Sequence, residues 1–337
     1  MQGSANLNLM IKAARKAGRS LVKDFREVEN LQVSRKGPAD FVSAADKKAE
    51  EIIRKSLEKT RPGYGFLMEE GGEVQGTDKT HRFIVDPLDG TLNFLHGIPH
   101  FAVSIGLERD GKLRAGVIFD PMRNEIFWAE EGQGAWLDNK RLRVGSRRKL
   151  SEAVVTTGIP QLGNDGAEKF LDELARVRSE VAAVRRFGSA ALDLAWVAAG
   201  RFDGFWERGL SLWDIAAGFV LLQEAGGMVI GLDKKDAAKG SFPRFTGADI
   251  GRHFMPPDQP AECVLTGVAC LHSGNQRDQG EHTPATVDAP RPPAQDAELH
   301  DETHQAADVG DAEHREAHVE RGMVVAAVAL QLPEECQ

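Results

Sequence analysis

The stretch from Val154 to Gly227 most limits the folds open to this chain. Short β-branched or aromatic runs alternate in it with helices, and two of those helices are apolar almost throughout. "VVTTGIP", "VRRFG" and "FDGFWE" read as strands or strand ends, and "AEKFLDELARVRSEV" as a strong helix. "SAALDLAWVAAG" and "WDIAAGFVLLQEAGG" carry so few polar residues that they read as buried helices. This alternation implies a partly parallel sheet with helices on its faces.

The first half has a different rhythm. Leu7, Met10, Ile11, Ala14, Leu21, Val22 and Phe25 recur at helical spacing and predict an amphipathic first helix. "LQVSRKGPADFVS" has mixed turn and strand character. "SAADKKAEEIIRKSLEKT" predicts a second helix with Ser43 as its N-cap and Arg61-Pro62-Gly63 as its stop. From Phe66 to Val144 five short β-rich runs separated by turn signals such as "RDGK" form the pattern of an antiparallel meander. The expected division is residues 1–149 with the antiparallel sheet, 150–270 with the α/β pattern, and a low-complexity tail over 271–337. Composition changes after Ile230: no lysine follows Lys239 and prolines and acids accumulate. The tail reads as solvated and largely disordered, with "DAEHREAHVE" able to form a helix.

With 337 residues and a formal net charge of −9, the chain lacks the clustered Lys and Arg that a nucleic-acid or anionic-membrane surface needs. Cys263, Cys270 and Cys336 have no CxxC spacing, which indicates neither a disulfide framework nor a zinc knuckle. The N-terminus has no apolar run of signal-peptide type, and "MVVAAVALQL" from Met323 is well short of the ~20 residues of a membrane span. A soluble, cytoplasmic protein is expected.

Neither a Walker-type "GxxxxGK[ST]" nor a strand-linked "GxGxxG" is present. The pairs His300/His304 and His314/His318 have i,i+4 spacing, but "HREAH" is not HExxH and no core fixes their geometry, so they receive no role. "FIVDPLDGTLNF", Phe83 to Phe94, is more informative. Pro87 and Asp89-Gly90 turn the backbone sharply and let Asp86 and Asp89 converge at a strand end. Two converging carboxylates are most simply held as anions by a hard divalent cation; a solvated Asp-Gly turn is the plain alternative. Other acids stand at comparable places: Asp40 and Asp46 in "DFVSAAD", Glu69 and Glu70 in "FLMEEGG", and Asp214 at the head of an apolar helix. Capping of that helix is the alternative for Asp214.

"DFVSAAD", "MEEGG", "DPLDGTLNF", "FGSAALDLAWVAAGRFDGFWE" and "WDIAAG", in this order, resemble the inositol monophosphatase family of the fructose-bisphosphatase-like superfamily, over roughly residues 5 to 230. The resemblance implies a layered α-β-α-β-α sandwich of mixed α/β class. It implies magnesium bound by Glu69, Asp86, Asp89, Asp214 and the carbonyl of Leu88, and hydrolysis of a phosphate monoester by direct attack of a metal-activated water. It makes Thr91, Asp46 and Glu69 the groups that orient and deprotonate that water, with the Gly90 and Thr91 amides on the phosphate. Thr91 reads equally as a helix N-cap. Gly188, Ser189, Ala190 and Glu207 match the family's substrate pocket; Ser189 also reads as a simple helix cap.

The acidic Glu207 suits a polyol and favours inositol monophosphate. Histidinol phosphatase, fructose-1,6-bisphosphatase and phosphoadenosine-phosphate 3′-phosphatase are the alternatives within this chemistry. A protein that keeps the fold but acts by binding a macromolecular partner is the alternative of another class. A homodimer is implied too. Ser43 replaces the family's usual Thr, and "LSLWD" differs from the commoner residues before Trp-Asp. The family's closing strands and last helix are not recognisable in 231–257, so the terminus reads as a shifted frame or an unrelated extension.

Overall fold

In the computed structural model, residues 3–31, 38–159, 167–231 and 323–328 are described. Helix α1 (Ala5–Leu31) buries Leu7, Met10, Ile11, Ala14, Ala17 and Leu21 along one stripe, as its periodicity predicts. Helix α2 (Pro38–Glu58) starts five residues before Ser43, which is therefore inside the helix and not its cap. Pro38 suits a first helical position, having its φ preset and no N–H to satisfy. The mixed turn and strand character read in "LQVSRKGPADFVS" gives way to helix from Pro38 onward; residues 32–37 lie outside the described residues.

The strands β1 (Gly65–Met68), β2 (Gly72–Val74) and β3 (His81–Asp89) follow, then the short helix α3 (Thr91–Leu95). Next come β4 (Ala102–Arg109), β5 (Lys112–Asp120), β6 (Glu125–Glu130), β7 (Gly134–Leu137) and β8 (Lys140–Arg141). They form one sheet in the order β2-β1-β3-β4-β5-β6-β7-β8. From β3 to β8 it is the antiparallel meander expected, but β1 lies parallel to β3, pairing Phe66 with Phe83 and Met68 with Val85. β3 is buried on both faces: Phe83 and Val85 pack towards α1 and α2, and Ile84 packs the opposite way. A strand covered on both sides reads as a continuous apolar run, which "FIV" is.

The second sheet is built from β9 (Val154–Thr157), then α4 (Ala167–Glu180), β10 (Ala183–Arg185), α5 (Ala190–Ala198), β11 (Gly204–Leu210), α6 (Leu212–Glu224), β12 (Met228–Gly231) and β13 (Met323–Val328). Its order is β10-β9-β11-β13-β12, with β9 parallel to β10 and β11, and β13 antiparallel to both its neighbours. β13 comes from the run read above only as too short for a membrane span. It fills the place between β11 and β12 for which no strand was found before residue 257. The remaining tail, with all three cysteines and both His pairs, lies outside the described residues.

Three apolar clusters define the layers. α1 and α2 cover one face of the first sheet, α5 and α6 lie between the two sheets, and Phe170 and Val177 of α4 cover the outer face of the second with Val155 and Trp206. This is the α-β-α-β-α sandwich. The small residues of "IAAG" in α6 let the helix lie close on the first sheet. A Cβ on Gly116 would come within 2.4 Å of the Ala217 carbonyl oxygen, and one on its cross-strand partner Gly106 within 2.9 Å of Ala216. That close seat fixes the start of α6, and with it Asp214.

Candidate active site

Five separated pieces of chain deliver acids to the turn after β3. Asp86 and Asp89 stand at the end of β3, Asp46 on α2, Glu69 just after β1, Asp214 in the first turn of α6, and Glu207 on β11. Asp86 and Asp46 are buried. The Glu69-Glu70 pair divides: Glu69 keeps a buried Oε2 with no hydrogen-bond partner, while Glu70 faces Lys47 at 3.9 Å in an exposed pair. Asp46 likewise keeps an unpartnered buried Oδ1.

Most of these acids have one oxygen tied down by the protein. Asp86 Oδ1 accepts the Leu88 amide at 3.0 Å. Asp89 Oδ2 accepts the Ala191 amide at 2.8 Å and the Ser189 hydroxyl. Asp214 Oδ2 accepts the Ser211 amide at 2.6 Å in a capping box at the start of α6. Capping and a place at the site thus coexist for Asp214, and the same holds for Ser189, which caps α5 by accepting the Leu192 amide. Thr91 does not cap α3: Gly90, with φ of 94°, occupies the cap, and the Thr91 hydroxyl donates back to the Leu88 carbonyl at 3.0 Å.

Burial, and then mutual repulsion, push these carboxyls upward. Asp46 rises to about 8, burial first and Glu69 next. Glu69 rises to about 7 through burial, although a hydrogen bond with Asp86 opposes it. Asp214 rises to about 8 through burial and then Asp89. Asp86 is raised well above its ordinary value by burial, with Glu69, Asp89 and Asp214 adding to it. Asp89 reaches only about 6, because Ser189 and the amides at the start of α5 stabilise its anion against burial. Glu207 rises to about 8 by burial, with Asp89 and Asp214 contributing. These couplings place all six in one electrostatic neighbourhood.

Among the described residues no three acids stand ready as a closed set of metal ligands. Their chemistry nonetheless fits a hard cation: every donor is an oxygen, several carboxylates repel one another, and Asp46 and Glu69 each hold a buried oxygen without a partner. Asp40 lies in the first turn of α2.

Contacts with no signal in the sequence complete the site. Asn93, buried, donates to the carbonyls of His100 and Phe187, each at 2.8 Å, and so binds α3 to the segment leading to Gly188. A Cβ on Gly90 would approach the Gly188 carbonyl to 3.3 Å, so two glycines with positive φ meet where the sheets' connections converge. Gly158, in the loop after β9, leaves the room that the Glu207 carboxyl occupies; a Cβ there would lie 1.8 Å from Glu207 Cδ. A motif such as "NFLHG" or "TTGIP" announces neither contact, since both partners lie far along the chain.

Residues 5–269 match the model of the inositol monophosphatase family. The chain is 59% identical to inositol-1-monophosphatase of Rhizobium meliloti strain 1021 over 250 residues, 74% of this chain and 92% of that protein. It is 46% identical to Nus factor SuhB of Escherichia coli strain K12 over 223 residues, 66% of this chain and 84% of that protein. Its fold also matches the native crystal structure of extragenic suppressor protein suhB from Bartonella henselae, with a TM-score of 0.64 at 59% identity, covering 68% of this chain and 88% of that one.

Proposed function

Because the chain belongs to the inositol monophosphatase family and is a phosphoric monoester hydrolase, we propose that it hydrolyses myo-inositol 1-phosphate with magnesium as its cofactor. One observation carries the reading: Glu69, Asp86, Asp89 and Asp214 come from separate elements to a single turn, where Glu69, Asp89 and Asp214 add to the burial that raises Asp86, and Asp89 and Glu69 to that which raises Asp214. Such repulsion destabilises the protein unless a cation offsets it.

Glu69, Asp86, Asp89 and Asp214 would hold the ion, with the main-chain oxygen of Leu88, which also accepts the Thr91 hydroxyl. Magnesium there would offset the charge of the acids and of the substrate phosphate, and make a water acidic enough to attack phosphorus. The Thr91 hydroxyl would orient that water. Glu69 and Asp46, each with a buried oxygen that has no hydrogen-bond partner, would take its proton as carboxylates. The Gly90 and Thr91 amides would face the phosphate oxygens, and Gly188, Ser189, Ala190 and Glu207 the polyol. Attack displaces the inositol oxygen directly, with no phosphorylated side chain.

Glu207 supports a polyol over a bisphosphate, because its buried carboxyl can hydrogen-bond a ring hydroxyl and offers no positive charge to a second phosphate. The relative named Nus factor SuhB supports the second reading, a protein acting through a macromolecular partner. A magnesium-dependent phosphate-release assay over inositol phosphates, histidinol phosphate, fructose 1,6-bisphosphate and phosphoadenosine phosphate separates these. Turnover highest with inositol monophosphate is expected; folded protein that turns over none of them sinks the enzyme reading. The proposal includes a cytoplasmic homodimer, in keeping with the absence, among the described residues, of any helix long and apolar enough to cross a membrane.

A further inference from the structure

Asp86, Asp89 and Asp214 are carried by a paired strand and a helix, but Glu69 is not. It stands on the turn between β1 and β2, secured at its own amide by a bond of 3.2 Å to the Val85 carbonyl. The turn closes the β1-β2 hairpin, where Met68 pairs with Gly72, and leaves Glu69, Glu70 and Gly71 outside the ladder. Its other end meets α2, where Glu50, one helical turn beyond Asp46, points the same way.

We propose that Glu50 is a positioning residue for Glu69: its carboxylate clamps the following amides and so aims the Glu69 side chain at Asp86. Glu50 Oε2 accepts the Glu70 amide at 2.9 Å, and the Gly71 amide donates to the same carboxylate. Glu50 is buried, so these bonds are made away from bulk water, where they are strongest. The clamp leaves no room for a side chain at Gly71, where a Cβ would lie 2.7 Å from Glu50 Oε1. Asp46 and Glu50 thus divide the work of one helix face, the first standing beside the acids and the second holding the turn that supplies one of them. Outer groups that fix a metal ligand's orientation commonly change metal affinity by about 10–100-fold when removed.

The inference rests on the magnesium reading above, and its test separates the two. Magnesium binding is measured by titration calorimetry on the full chain as wild type, Glu50→Ala, Glu50→Gln and Gly71→Ala, each with its melting temperature. Glu224→Ala serves as the comparison. Glu224 clamps another turn in the same manner, accepting the Gly132 amide at 2.8 Å and the Gly134 amide at 2.7 Å. Glu50→Ala and Gly71→Ala should weaken magnesium binding about tenfold or more. Glu50→Gln, whose amide oxygen still accepts the Glu70 N–H, should recover most of the affinity, and Glu224→Ala should lower the melting temperature alone. If Glu50→Ala fails to fold, Gly71→Ala decides. Wild-type affinity in Glu50→Ala or, failing that, in Gly71→Ala overturns the clamp, whereas no magnesium binding by wild type overturns the cofactor reading itself.

Discussion

Ser189 donates its hydroxyl to the Oδ2 of Asp89, a residue 100 positions earlier, while the same hydroxyl caps helix α5. One side chain therefore ties the pocket segment of the second sheet's layer to the acids of the first. Ser189→Ala should cost about 1–2 kcal/mol in a denaturant titration, from the lost cap and the weakened support of a buried carboxylate. Ser189→Thr should restore most of it. An alanine variant as stable as wild type would show that the bond does not contribute.

On the proposed reading of Asp89 as a metal ligand, Asp89→Asn should lower turnover by about 10³-fold or more, several kcal/mol of transition-state stabilisation. The fold should survive, because the substitution relieves repulsion felt by Asp86, Asp214 and Glu207. Phosphate release and circular dichroism on the same preparation check both halves; near-normal turnover would remove Asp89 from the site.

Magnesium binding should expel protons at pH 7. Glu69 at about 7 and Asp214 at about 8 are substantially protonated there, and ligation requires their anions. Calorimetry in buffers of different ionisation enthalpy counts the protons, and affinity should rise from pH 6 to 8. Stability follows the same linkage. These carboxyls bind protons more tightly folded than unfolded, where 3.8 and 4.5 apply, so in chelator stability falls as pH rises above about 4 and levels off once the folded values of about 6 to 8 are passed. Saturating magnesium should flatten that slope. A pH-independent melting temperature in chelator would contradict the repulsion described.

Gly158→Ala should act through Glu207, whose carboxyl occupies the space the new methyl would take. KM for myo-inositol 1-phosphate should rise with kcat less affected, while a phosphate ester without ring hydroxyls is turned over as before. Glu207→Gln should show the same selectivity. Equal loss on both substrates would place Glu207 outside polyol recognition.

Gly116→Ala should destabilise the fold by about 1–3 kcal/mol by denaturant titration, because the added carbon meets the α6 backbone at Ala217 and not a side chain that can turn away. An unchanged midpoint would mean that α6 has freedom to shift outwards.

Much of the site was legible because its signals are local. The "FIV" run followed by Pro87 and Asp89-Gly90 writes a buried strand and a sharp turn into adjacent residues, and those residues carry Asp86 and Asp89. "WDIAAG" likewise writes a helix start beside an acid. Two capping assignments failed for want of backbone context. Ser43 has the right chemistry, but Pro38 starts the helix earlier; Thr91 follows a glycine whose positive φ makes that glycine the cap. β13 was invisible because pairing with β11 and β12 needs partners over 90 residues away, and "MVVAAV" has no local sign of them.

By itself the sequence determined the alternation of elements, the two apolar helices that demand cover on every side, and the set of acids. Periodicity and turn chemistry operate between neighbours, so a linear reading captures them. Only the tertiary structure decided that Glu69 and not Glu70 turns inward, that Ser189 serves Asp89, and that Glu50 and Gly158 shape the positions of Glu69 and Glu207. Those relationships depend on how sheets and helices stack, which brings distant residues within hydrogen-bond reach and excludes the water that would otherwise satisfy them.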